Sequence, residues 1–171
     1  RDAYKNEGYS ILAITDHEFL KNNSYLDDKD FITITSCEIA IKEFPELSTL
    51  KNFDMKVCHL NFYAKEQDND YNFFYSSVYD HFSKPEQKLK LNKPDIEIER
   101  VYGGDGINKL IKAANDNGFF VAYNHPRWSL ENYGDYGGYE GLWAVEIYNN
   151  ACNTGGLYEY DINVVDDMLR D

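Results

Sequence analysis

Apolar residues along this chain gather in short uncharged runs that stop abruptly at polar or charged ones. Residues 11–14, Ile-Leu-Ala-Ile, form such a run, which suits a strand buried on both faces as in a parallel sheet, and it ends at Thr15-Asp16-His17. Residues 18–26 read as a short helix or turn. The β-branched density of Ile32, Thr33, Ile34 and Thr35 then predicts a strand over 31–36 that delivers Cys37 and Glu38 at its end. Residues 41–54 contain Pro45 and little periodicity, so they read as a loop with a helical turn, and 55–63 as a third strand with His59 in its second half. From 65 to 100 the character changes: Asp-Asn-Asp, a dense set of aromatics from Tyr71 to Phe82, then Pro85 and Pro94. A helix is predicted around 71–82, and the segment reads as an insertion or covering loop.

Order returns with Ile107, Leu110, Ile111 and Ala114, spaced i, i+3, i+4, i+7 on one helical face, with Asp105 as the cap and Gly118 as the stop. Residues 119–123 follow as a strand ending in Asn124-His125-Pro126-Arg127-Trp128, and 141–148 as a further buried strand ending at Asn149-Asn150. Strand, connection, strand, helix, strand predicts an α/β fold with a parallel sheet, open or closed.

Composition narrows the setting. At 171 residues one domain is expected, and 15 Tyr and 10 Phe mark a globular chain. A net charge of −13 with no basic cluster repels phosphate backbones, which argues against nucleic acid and against anionic membranes as partners. The charge bears on the surface only; a metal centre inside an acidic protein still binds a phosphate. Three cysteines, Cys37, Cys58 and Cys152, form no Cys-x-x-Cys pair and fit a reducing, cytoplasmic compartment. There is no signal peptide and no apolar run long enough to cross a bilayer. The chain opens inside a helix stopped at Gly8 and closes inside another, over 161–170, with no stop signal, a pattern expected of a piece of a longer protein.

The candidate chemistry lies at the predicted strand ends, where α/β folds gather ligands. Asp16, His17, Glu38, His59 and His125 all fall at or near such ends. Imidazole and carboxylate together suit zinc, manganese or iron, and a carboxylate such as Glu38 is able to bridge two cations. Each residue also has a plain structural reading: Asp16 as a helix cap, Glu38 as a first-turn acid, His59 as a hydrogen-bonded core histidine, His125 as a turn residue. The fourth histidine, His81, sits between Asp80 and Phe82 and reads as a surface or structural residue. Arg127 forks onto a substrate phosphate or carboxylate, or else makes a salt bridge. Trp128, Tyr133, Tyr136 and Tyr139 read as an aromatic wall or lid, made mobile by Gly134, Gly137, Gly138 and Gly141.

Ile-Thr-Asp-His after a buried strand, a Glu closing the next, the strand-borne His of Val-Cys-His-Leu and Asn-His-Pro after a further strand resemble the polymerase and histidinol phosphatase (PHP) family. The resemblance runs from about Tyr9 to the chain end. It implies a distorted barrel of seven β/α units, incomplete in this chain, with two or three divalent metal ions at the strand ends. It also implies that His17, Glu38, His59 and His125 are metal ligands, Glu38 the bridge, and Asp16 a catalytic-site residue that orients a ligand. The family's His-x-His and late Asp-x-His do not occur in the chain and would lie outside it. The expected activity is hydrolysis of a small phosphorylated molecule by metal-activated water. The alternatives are a metal-dependent amide or ester hydrolase, or a non-catalytic metal-binding domain of a larger assembly.

Overall fold

The computed structural model describes residues 1–47, 55–79, 91–154 and 162–170. A short helix, α1 (Asp2–Asn6), gives way at Gly8, whose φ of 89° is left-handed, and the chain enters β1 (Ile11–Ala13). β1 lies parallel to β2 (Ile32–Ile34), Ile11 opposite Ile32 and Ala13 opposite Ile34. Beyond Thr35 the chain continues as β3 (Ser36–Lys42), and the same parallel register resumes as an isolated bridge between His17 and Glu38. That register carries His17 to the side of Glu38.

β3 pairs antiparallel with β4 (Val57–Ala64), which pairs antiparallel with β5 (Phe119–Asn124). β5 is joined in parallel by β6 (Ala144–Val145). The fold is therefore mixed α/β, with the all-parallel sheet corrected to one holding an antiparallel centre, and the described strands do not close into a barrel. Beyond Lys42 the ladder between β3 and β4 continues through Glu43 N–H to the Lys56 carbonyl, so the two strands stay paired as they leave the sheet. The best helix of the sequence, α2 (Gly104–Asp116), leads into β5.

α2 buries the four residues its spacing singled out, Ile107, Leu110, Ile111 and Ala114. They pack on one face of the sheet against Ile39, Ile41, Leu60, Phe62, Val121 and Tyr123, all of them fully buried. At about 1.5–3 kcal/mol for each large apolar side chain, this face is the main source of stability. Gly103, not Asp105, is the N-cap, and it makes no side-chain cap; Asp105 lies in the first turn, where its charge complements the helix dipole. Gly118, with φ 83°, is the joint into β5.

Residues 71–79 form turns in place of the expected helix, and 80–82, with His81, lie outside the described residues. Phe73 of this segment stacks on Phe62 and Phe74 meets it at a tilt, both at ring distances of 5.4 Å, and they close the core from the side. The last expected strand, over 141–148, is reduced to the two residues of β6. Three further helices, α3 (Tyr133–Tyr136), α4 (Asn150–Thr154) and α5 (Ile162–Arg170), follow the sheet. Among the described residues no helix is long and apolar enough to cross a membrane.

Candidate metal centre

Side chains alternate across a strand, so the residues left over from the core face its opposite. In register these are Glu38, Asn61 and Ala122 in one row across β3, β4 and β5, and Ala40, His59 and Asn124 in the next. Glu38 and His59 are each the third residue of their strands, not the last. Because β4 runs against β5, its beginning lies beside the end of β5, and there His125 leaves the sheet. An antiparallel β4 is thus what brings His59 to His125.

The three side chains converge. His59 Nδ1 lies 2.9 Å from Glu38 Oε1, His125 Nε2 lies 3.3 Å from the same oxygen, and the two nitrogens are 3.3 Å apart. With Glu38 ionised, no placement of protons on the two imidazoles makes all three contacts hydrogen bonds. If both nitrogens carry hydrogen they face each other as donors; if only one does, at least one edge joins two lone pairs. A single cation satisfies all three at once. Two ligands about 2.0–2.1 Å from one cation stand about 2.9 Å apart at octahedral angles and about 3.3 Å apart at tetrahedral ones. The donor set, two imidazoles and a carboxylate oxygen at these spacings, fits a divalent ion.

The surroundings suit that role. Burial alone would raise the Glu38 carboxyl, but hydrogen bonds with His125 and His59 outweigh it and hold the group well below the usual carboxylate range. Burial depresses His59 against the pull of Glu38, favouring the neutral imidazole that a metal requires. His125 Nδ1 lies 3.3 Å from Ser129 Oγ, which leaves Nε2 with its lone pair turned inward when Nδ1–H donates. The His125 N–H donates to Glu146 Oε2 at 2.9 Å, and its backbone sits at φ 26°, an uncommon conformation for a residue before proline. Such strain costs on the order of 1–3 kcal/mol and is found where surrounding contacts over-determine a site.

His17 stands at the rim. Its Nδ1 is 3.8 Å from the other oxygen of Glu38, and its side chain is half exposed. Asp16 contributes backbone: its carbonyl accepts the Glu38 N–H at 3.1 Å, while the residue is exposed and its carboxylate is not among the groups that converge on Glu38. Arg127 is half-buried in the loop that leaves His125. Trp128 lays its ring 5.3 Å from that of His59 and 4.9 Å from that of His125, the wall expected of it. The lid is corrected for Tyr136 and Tyr139, which are buried in the core.

Two supports carried no local signal. Glu18, adjacent to His17 and at φ 59°, is 5 % exposed; its carboxylate accepts the Ala40 N–H and pairs with Arg100 through contacts of 2.7 and 3.0 Å. Arg100 also donates to the carbonyls of Ala40 and Phe74. Where the β1 register leaves β3, these two side chains take over both backbone groups of Ala40. Glu131 closes the 125–131 loop: its N–H donates to the Pro126 carbonyl, and its buried carboxylate accepts the hydroxyls of Tyr102, Tyr123 and Tyr139 at 2.9, 2.6 and 2.6 Å. Their partners are distant in sequence or hidden among many tyrosines. No protein-family model, curated protein or solved structure matches the chain.

Proposed function

We propose that this protein is a metal-dependent phosphoesterase of the PHP type, acting on a small phosphorylated molecule, its sheet an incomplete form of that family's distorted barrel. The carrying observation is the triangle of Glu38, His59 and His125, whose three mutual contacts are not all met by imidazole protons while Glu38 is ionised and are met by one cation. His17, beside the second Glu38 oxygen, gives that carboxylate room to serve two ions, in line with the two or three divalent cations that the family resemblance implies. Zinc, manganese and iron all accept such donors. When bound, the metal supplies a nucleophilic hydroxide near neutral pH and neutralises charge developing on the phosphoryl group.

The chain's own residues supply the rest. Glu38 presents a charged carboxylate under conditions where most acids of its exposure would also be ionised, and the neighbouring imidazoles keep it so at lower pH. Trp128 shields the two buried imidazoles from solvent on one side. Arg127, two residues beyond His125, offers a fork for the phosphate oxygens. The negative surface favours a small substrate over a polynucleotide.

Hydrolysis of p-nitrophenyl phosphate tests the reading. Turnover should depend on added manganese or zinc, vanish with chelator and return with metal. Glu38→Gln should lower kcat/KM by roughly a hundredfold or more, since even changes behind a ligand cost about 10–100-fold. Arg127→Ala should lower it about 10–100-fold, the equivalent of one charge-assisted contact. A protein inactive under every metal, or one indifferent to chelator, overturns the proposal.

A further inference from the structure

Asn61 is unaccounted for by the triangle. It stands on β4 directly opposite Glu38, with Ala122 on its other side and His59 two residues along the same face. Its Nδ2 donates to the Tyr63 hydroxyl at 3.0 Å, and its Oδ1 is buried with no hydrogen-bond partner. Among the described residues it is the one buried side-chain polar atom left in that state. In this orientation the amide nitrogen is satisfied by Tyr63 and the oxygen is the atom left without a donor. An unmet buried polar group is costly, so a persistent one calls for a partner that the protein alone does not supply.

The neighbourhood says which partner. Glu38 is an acceptor, and the Glu146 carboxylate bears on the Tyr63 hydroxyl together with it. The Glu38 carboxylate and the unpartnered Asn61 oxygen are both acceptors on one face of the sheet, a pair that a cation satisfies and an anion does not. Carboxamide oxygens are ordinary ligands of hard cations. We infer that Asn61 supplies an oxygen contact to a divalent cation held at Glu38, and that it biases this position toward a hard ion such as manganese. The inference rests on the metal-centre reading and adds a residue that neither motif nor histidine count singles out.

Manganese binding to the metal-free protein, followed by the loss of the free-ion paramagnetic resonance signal, tests it without recourse to activity. Asn61→Leu removes the amide and its orphan together. Its metal-free form should unfold at no lower urea concentration than wild type, while its manganese affinity falls about 10–100-fold. Asn61→Asp, which keeps an oxygen and adds charge, should bind manganese at least as tightly as wild type and serves if the leucine variant does not fold. Equal affinity in the leucine and wild-type proteins, or weaker binding in the aspartate variant, overturns the role of Asn61 alone. A wild-type protein that binds no manganese or zinc overturns the metal centre itself and this inference with it.

Discussion

Arg100→Met breaks the clamp that ties the end of the β1 register to the sheet, and its consequences follow from the contacts. Arg100 and Glu18 are 7 % and 5 % exposed, so the pair is screened little by solvent. The guanidinium gives two bonds to the Glu18 carboxylate and one each to the Ala40 and Phe74 carbonyls from its terminal nitrogens, and its carbon lies 4.6 Å from the Tyr79 ring centre. Methionine fills much of the space but leaves Glu18 charged and buried, with the Ala40 N–H as its remaining described donor. Removing one partner of such a pair costs about 3–5 kcal/mol, a large share of the 5–15 kcal/mol typical of a domain. Urea unfolding of the wild type, Arg100→Met, Glu18→Leu and the double variant completes a thermodynamic cycle. The double variant should lose less than the sum of the singles by at least about 2 kcal/mol, because it strands no charge. Additivity within about 0.5 kcal/mol, or a cost below about 1 kcal/mol for Arg100→Met, would refute the clamp.

Cys37 and Cys58 are fully buried, and burial pushes both thiols well above their ordinary range, so neither should react with a thiol reagent in the native protein at pH 8, whereas both should react in denaturant. Prompt native labelling of either residue would contradict the core assignment. Burial raises the Glu131 carboxyl despite its three tyrosine hydrogen bonds. Its folded value thus lies above its unfolded one, so its contribution to stability is fullest below the unfolded value and is lost as pH rises through the folded one. Relative to Glu131→Gln, the wild type should accordingly be more favoured at pH 4 than at pH 8 in urea titrations, and the opposite trend would reject the shift. Leu110→Ala, in the core face of α2 at 2 % exposure, should cost about 2–5 kcal/mol; a loss below about 1 kcal/mol would mean that α2 does not pack as described.

Local periodicity made part of this fold legible. The spacing of Ile107, Leu110, Ile111 and Ala114 marked the buried face of α2, and the uncharged run Phe119 to Tyr123 marked β5, because both are signals carried by neighbours in sequence. Strand direction is not such a signal. Nothing near His59 states that β4 runs antiparallel to β3 and β5, so the histidine was expected late in its strand and lies early. Glu38 was read as closing a strand that in fact continues to Lys42, since Ile39 to Ile41 are apolar without a turn and only pairing with β4 shows them as strand. Glu18 and Arg100 are remote in sequence, and neither residue type predicts burial; their pairing emerges only from the fold. Tyr136 and Tyr139 sit in a glycine-rich stretch that suggested a lid, yet the buried Glu131 carboxylate holds the Tyr139 hydroxyl in the core.

The most direct test of the metal centre is calorimetric titration of the metal-free protein with zinc, alongside Glu38→Gln and His59→Ala. At least one ion should bind per chain, and binding should be lost in both variants. A wild type that takes up no zinc, or variants that bind it as wild type does, would contradict the metal centre.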